Sequence, residues 1–256
     1  MTSNSSLFDL TGKVALITGA SRGIGKALTL ALAQAGCDVA VNARSADSLE
    51  QVEREVKELG RNCFLAAGDV TDETQVTQLV KATHGHFGKI DVLVNNAGIW
   101  EGTYFVRIQK ADWDKVLQVN LTGALLVAKA VGRIMLKQRS GKIIQISSVL
   151  GLRGSPQAVA YCVTKGGIIQ MTRVMAIEMG PANVQVNCIA PGLVATDMTQ
   201  QYVEDKEAMA EYLSRVPLRK YAQPEDLAGL MVFLASKASD HITGQTIAID
   251  GGESLI

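Results

Sequence analysis

Cysteine, proline, histidine and aromatic residues are all scarce in this 256-residue chain, and neither sign of charge is in excess. The four cysteines, Cys37, Cys63, Cys162 and Cys188, are scattered, with no C-x-x-C pair and no histidine at metal-ligand spacing. That distribution excludes a disulfide framework and a zinc site, and it suits the reduced thiols of a cytoplasmic protein. His84-Gly85-His86 is the only histidine pair, and without a nearby cysteine it reads as a solvated helix end, so no metal is expected. With 25 Lys+Arg against 25 Asp+Glu and a pI of 6.8, the chain lacks the broad basic face of a nucleic-acid binder. No unbroken apolar run approaches the ~18 residues of a membrane span. The segment Met1-Thr2-Ser3-Asn4-Ser5-Ser6 has neither a basic nor an apolar region, so no secretory signal is expected there.

What the chain does have is 47% hydrophobic residues, arranged in short apolar runs. Val14-Ala15-Leu16-Ile17, Val39-Ala40-Val41, Cys63-Phe64-Leu65, Val92-Leu93-Val94, Ile143-Ile144-Gln145-Ile146, Val184-Gln185-Val186 and Thr246-Ile247-Ala248-Ile249 read as strands. Their hydrophobicity is continuous rather than alternating, as for parallel strands covered on both faces. Between the first two, Ile24, Ala27, Leu28, Ala31, Leu32 and Ala35 fall at helical spacing and Gly36 supplies a stop. Residues 47–59, 72–83, 111–138, 158–179 and 224–236 also read as helical. Parallel strands need crossover helices, so the pattern predicts an α/β fold: one Rossmann-type doubly wound sheet of about seven strands, in a single domain over 1–256. Ligands of such sheets bind beyond the carboxyl ends of the strands, which makes the loops after the strands the place to look for chemistry.

After the first strand comes Thr18-Gly19-Ala20-Ser21-Arg22-Gly23-Ile24-Gly25, then a helix. Gly19 permits a tight turn, Gly23 lets backbone approach a pyrophosphate, and Gly25 allows close helix–strand packing. The helix N-terminus offers free N–H groups to phosphate, with Ser21 and Ile24 in the same turn. The same residues match G-x-S-x-G, a hydrolase nucleophile elbow, with Asp197 or Asp226 and then His241 in the expected order. That rival needs an earlier strand and loop for its oxyanion hole, and only 18 residues precede Gly19. At the end of the second strand, Asn42-Ala43-Arg44-Ser45 carries no carboxylate to bond ribose hydroxyls. Arg44 and Arg22 instead suit a 2′-phosphate, which favours NADP(H) over NAD.

Together with Asp69-Val70 after strand 3, Asn95-Asn96-Ala97-Gly98 after strand 4, Asn120, Ser148, Tyr161 with Lys165, and Pro191-Gly192, these motifs run in an order that resembles the short-chain dehydrogenase/reductase family from Lys13 to Gly252. The resemblance implies that Asp69 and Val70 border an adenine, that Asn96, Ala97 and Gly98 brace the sheet beside the cofactor, and that Pro191, Gly192 and Thr196 face the nicotinamide. It implies a catalytic set of Asn120, Ser148, Tyr161 and Lys165, with Asn120 holding a water that links Lys165 to solvent. Ser148 rather than Ser147 is assigned because it stands thirteen positions before Tyr161, as the family's serine does.

The chemistry also follows from the residues. Tyr161 and Lys165, four apart, share a helix face. A nearby ammonium stabilises phenolate and is expected to lower the tyrosine pKa from its usual value near 10. The phenol then protonates a developing alkoxide in reduction, and the phenolate removes the alcohol proton in oxidation, while Ser148 bonds the substrate oxygen and Lys165 also reaches ribose hydroxyls. Cys162 points about 100° away from Tyr161 and reads as packing, as do Trp100 and Trp113.

Residues 193–220 are long enough for a substrate lid, with an apolar face of Met198, Tyr202, Met209, Tyr212 and Leu213. Ile99-Trp100-Glu101 and residues 150–157 are expected to wall the pocket, and Arg153, near its mouth, reads as solvated, with reception of an anionic substrate as the alternative. Ser148-Val149-Leu150-Gly151 and the ending around Asp250-Gly251-Gly252 resemble 3-oxoacyl-[acyl-carrier-protein] reductases most. Arg139 matches a position where those enzymes dock the carrier, and Ile177 stands where a second docking arginine is usual. A sugar, polyol or small-ketone dehydrogenase of the same family is the alternative, and a non-catalytic cofactor-binding protein the alternative of another class. The resemblance also implies a homotetramer, for which Ala124, Ala128 and Val131 offer an apolar face that serves burial on the sheet equally well.

Overall fold

The computed structural model describes residues 7 to 255; the first six residues, on which the expectation of no signal rests, lie outside it. Seven strands form one sheet: β1 (Val14–Thr18), β2 (Asp38–Asn42), β3 (Cys63–Leu65), β4 (Val92–Asn95), β5 (Gly141–Ile146), β6 (Val184–Pro191) and β7 (Thr246–Ile249). Their order is β3-β2-β1-β4-β5-β6-β7, and all pairings are parallel. The order reverses between β1 and β4, so a crevice opens there at the carboxyl ends of the strands.

Helices cover both faces, and successive side chains of a strand feed opposite layers. Ala15 and Ile17 of β1 face a layer built from α1 (Gly23–Gln34), α2 (Glu50–Glu58) and α9 (Ala228–Ala235), through Leu28, Leu32, Val52, Val56, Met231 and Leu234. Leu16, between them, faces the other layer. There Leu79 and Val80 of α3 (Glu73–Phe87), Val127, Val131 and Met135 of α5 (Gly123–Gln138), and Ala176 and Met179 of α6 (Val159–Met179) enclose Leu93 and Ile143. Each fully buried side chain of this size contributes roughly 1.5–3 kcal/mol of transfer free energy, which is why the strands read as unbroken apolar runs.

Several boundaries differ from expectation. The 111–138 segment is not one α-helix: α4 (Lys110–Leu117) passes through a π turn (Gln118–Thr122) before α5. This continuous stretch, Lys110–Gln138, is long enough to cross a membrane and contains an 18-residue window apolar enough to do so, with a mean hydropathy of 1.5 over that window. Its buried side chains, however, pack on the sheet. Helix α3 runs on to Phe87, so His84 and His86 sit in its last turn, ahead of a left-handed Gly88. Ala124, Ala128 and Val131 are buried within the chain, because that side of α5 lies on the sheet. The exposed apolar side chains of the two central helices are instead Leu125, Leu136, Val163, Val174 and Ile177. Residues 193–220 contain α7 (Gln200–Glu204) and α8 (Lys206–Ser214).

Candidate active site

A cleft of about 520 Å³ opens at the carboxyl ends of the strands; every expected catalytic and cofactor residue lines it except Asn120, whereas of the expected substrate walls and lid face only Ile99 and Met198 do. Its floor is the turn after β1. Gly19 has φ +63°, and a Cβ on Gly25 would stand 2.0 Å from the Gly19 carbonyl oxygen, so the helix start fits only without a side chain. Asn96 locks this turn from the next strand: its Nδ2 donates to the carbonyls of Thr18 (3.0 Å) and Gly19 (3.1 Å). Thr18 Oγ1 accepts from the N–H of Asn96 and of Ala97. Helix α1 begins at Gly23 without a side-chain cap and without an acidic residue in its first turn. Its free N–H groups and positive dipole end therefore face the cleft, a fit for the pyrophosphate of a dinucleotide.

The β2 end supplies Arg44 to the lining, while the Asn42 side chain turns inward and donates to the carbonyls of Ala66 and Gly68. Arg22 pairs with Asp197 at 3.1 Å, both strongly exposed, so the pair is weak and breakable. Asp69 is turned partly to its own loop, accepting from the Thr71 N–H (2.8 Å) and hydroxyl (2.7 Å). Lys115, Gln118 and Val119 also line this end. They were not foreseen, although their spacing puts them on one helix face beside Asn120.

The π turn explains Asn120. Its widened backbone buries the side chain completely, where Oδ1 accepts from the Ile99 N–H at 2.7 Å and Nδ2 donates to the Ile99 carbonyl at 2.9 Å. Asn120 thus clamps the loop after β4, and π turns of this kind recur at functional sites. Gly98 lies between it and Lys165: a Cβ there would stand 3.4 Å from Asn120 Oδ1 and 3.7 Å from Lys165 Nζ.

Ser148 follows β5, and its Oγ accepts from the Leu150 N–H at 3.1 Å. The neighbouring Ser147 hydroxyl is committed to the Lys165 carbonyl at 2.8 Å, which leaves Ser148 as the serine open to the cleft. Lys165 Nζ donates to the Ile146 carbonyl at 2.8 Å and stands 5.4 Å from the centre of the Tyr161 ring. The expected lowering of the tyrosine pKa is not the net result. Burial pushes Tyr161 up to about 12, against the opposing influence of the Ser148 hydroxyl, and burial pulls Lys165 down to about 8. Desolvation of the charged forms outweighs the proximity of the two groups.

Two further expectations change. Trp100 is no packing residue: it is 38% exposed and sets its ring edge-on to Tyr161, with centroids 5.0 Å apart. Arg153 is not simply solvated, because it pairs with the buried carboxylate of Glu253. The hydrolase arrangement does not assemble: no histidine lines the cleft beside Ser21, and the Asp226 carboxylate accepts from the Gln223 N–H. Among the described residues no three His, Cys, Asp or Glu side chains cluster as metal ligands.

A family model described as Enoyl-(Acyl carrier protein) reductase matches residues 19–254. The chain is 45% identical to a 3-oxoacyl-[acyl-carrier-protein] reductase of Synechocystis sp. over 95% of its length and 97% of that protein. It is 39% identical to a 2-dehydro-3-deoxy-D-gluconate 5-dehydrogenase of Dickeya dadantii, over 96% of each. Among solved structures it resembles a gluconate 5-dehydrogenase from Burkholderia cenocepacia in complex with NADP and tartrate, with a TM-score of 0.96 and 35% identity over 98% of this chain and 99% of that one.

Proposed function

This chain belongs to the short-chain dehydrogenase/reductase family, and on that footing we propose that it is an NADPH-dependent reductase of the 3-oxo group of acyl thioesters. The observation that carries the reading is the convergence of Ser148, Tyr161 and Lys165 on the cleft that also takes the uncapped start of α1 and Arg44. Bound there, a reduced nicotinamide supplies hydride. The chain's own residues do the rest. Ser148 donates to the substrate oxygen and orients it. Tyr161, held in its protonated form, gives its proton to the alkoxide as it develops. Lys165, anchored on the Ile146 carbonyl, offers charge to the phenolate left behind and hydrogen bonds to ribose hydroxyls. Asn120 holds the loop that carries Gly98 and Ile99 and stands behind Lys165, where it suits a water relaying protons to solvent. Asp69 and Val70 border the adenine, Pro191, Gly192 and Thr196 the nicotinamide, and Arg44 with Arg22 the 2′-phosphate.

Residues 193–220 act as a lid over this single domain, tied down by Tyr212, which donates to Glu253 at 2.6 Å and accepts from the Leu193 N–H at 3.2 Å. The protein works in the cytoplasm as a homotetramer. The exposed Leu125, Val163, Val174 and Ile177 on α5 and α6, and the unpaired edge of β7, support that assembly. A sugar or polyol dehydrogenase is the second reading, favoured by the Dickeya and Burkholderia proteins.

The test follows NADPH and then NADH consumption by the purified protein with acetoacetyl thioester, crotonyl thioester and a ketose panel. Rapid NADPH oxidation with the acetoacetyl thioester alone is the expected result. Turnover only with ketoses moves the substrate to the second reading, and turnover only with the crotonyl thioester replaces carbonyl by enoyl reduction. Nucleotide binding with no turnover at all marks a non-catalytic binder.

A further inference from the structure

Ile99 and Met198 are apolar side chains of the cleft lining, and Arg153, the basic residue expected near its mouth, is paired with the buried Glu253. Trp100 reaches over from the loop after β4 to lie edge-on to the Tyr161 ring, at 5.0 Å and 66°. The loop that carries the indole is tied down on both sides of Trp100. A Cβ on Gly102 would stand 3.0 Å from Trp100 Nε1, so a side chain there would press on the ring. The Thr103 N–H donates to the Gln157 carbonyl at 2.9 Å, which fastens this loop to the start of α6. Asn120 clamps the residue before it, Ile99, through both backbone groups. Trp100 is nonetheless 38% exposed, so a large, rigid aromatic surface is presented beside the proton-donating phenol and is not consumed by the core. Ile99, Met198 and Tyr161 line the cleft itself, and Trp100 borders it through its contact with Tyr161.

The basic side chains of the surrounding segments are each matched. Arg153 is bound by the buried Glu253, and Lys115 by Glu101 at 2.6 Å. Arg107 stands over the Tyr104 ring on an exposed turn. Recruiting Arg153 to a substrate carboxylate would leave Glu253 buried without its cation, and that cost opposes the gain from the new pair.

We infer that Trp100 sets substrate choice: its indole receives a flat, uncharged substituent borne by the reacting carbonyl, and carboxylate-bearing sugar acids are rejected at this end of the cleft. The inference rests on the carbonyl-reductase reading above and narrows its substrate to 3-oxoacyl compounds whose third carbon carries an apolar, preferably aromatic, group. Aromatic pairing adds specificity beyond simple area burial, and a rigid wall receives such a group at little entropic cost.

The experiment compares ethyl benzoylacetate, ethyl acetoacetate and 5-keto-D-gluconate as NADPH-linked substrates of the wild type, Trp100→Ala and Trp100→Phe. Both esters use the same phenol, so any change in Tyr161 cancels from the ratio of their kcat/KM values. The expected results are a wild-type preference for the aryl ester, a fall of about tenfold in that ratio in Trp100→Ala, and its retention in Trp100→Phe. The sugar acid is expected to be the poorest of the three by at least about a hundredfold. A ratio unchanged by Trp100→Ala, or the sugar acid as best substrate, overturns the inference while leaving carbonyl reduction intact. No turnover of the three while acetoacetyl thioester is reduced overturns the inference alone; no turnover of any of the four, with NADPH still bound, overturns both readings.

Discussion

Arg153 and Glu253 lie 100 residues apart in sequence and form an ion pair, with Tyr212 donating to the second carboxylate oxygen of Glu253 at 2.6 Å. The two partners are unequal: the arginine side chain is 42% exposed and the glutamate only 6%. Removing the arginine strands a buried anion, whereas removing the glutamate's charge leaves a cation that water solvates.

That asymmetry sets an order of stabilities. Arg153→Met is expected to cost about 1–3 kcal/mol, and Glu253→Gln less than about 1 kcal/mol, since the amide oxygen still accepts from Tyr212. Urea midpoints at constant m-value measure both. Equal losses, or a larger loss for Glu253→Gln, contradict the burial argument.

Tyr161→Phe is expected to keep NADPH binding and to lower kcat by at least about 10²-fold. In the wild type, a phenol raised to about 12 by burial is protonated throughout the neutral range. Reduction, which uses the acid form, is therefore flat from pH 6 to about 7 and declines above that as Lys165, at about 8, loses the charge it offers to the phenolate. Alcohol oxidation, which needs phenolate, climbs by about tenfold per pH unit up to about pH 8. An oxidation rate independent of pH would place the proton acceptor elsewhere.

Lys165 carries a stability signature of the opposite sign to an ordinary ion pair. Its pKa falls from 10.5 to about 8 on folding, so between those values the unfolded chain binds the proton that the folded chain has lost. Stability from this group rises through that window, is complete above 10.5, and is lost as pH falls through 8. The cysteines and Tyr161 change in the other direction at high pH, so the readout is a difference. From pH 8 to 10.5 the wild type is expected to gain on Lys165→Met in chemical denaturation. A constant difference would show that Lys165 is not desolvated.

Arg44→Asp is expected to weaken NADPH binding by about tenfold or more and to leave NADH within a few-fold, because the proposed pairing of guanidinium with 2′-phosphate would give way to a repelling carboxylate. Fluorescence titration with each nucleotide decides it. An equal loss for both would remove Arg44 from the 2′-phosphate site and leave Arg22, whose partner Asp197 is weakly held, as the remaining candidate.

The alternation of strands and helices, the glycine turn and the shared helix face of Tyr161 and Lys165 were legible because each is a local property, whereas Ser148 was reached through the family resemblance. Strand runs announce burial on two faces, and a residue pair four apart announces a shared helix face. The break of 111–138 into α4, a π turn and α5 was not legible, since no proline or glycine marks it before Gly123. The turn is supported by the Asn120 bonds to Ile99, a partner 21 residues away.

The wall at Trp100 and the pair of Arg153 with Glu253 belong to the same class. Nothing near Trp100 in sequence says that its ring meets Tyr161, and Glu253 is an unremarkable acid until the fold buries it. Short-range pattern specifies the sheet, the glycine turn after β1 and the helix face that Tyr161 shares with Lys165, all of which depend on residues within a turn or a strand of one another. The protonation balance of Tyr161 and Lys165, the pairing of Arg153 with Glu253 and the contact of Trp100 with Tyr161 come only with the three-dimensional fold, because desolvation and long-range pairing depend on which distant groups it brings into contact.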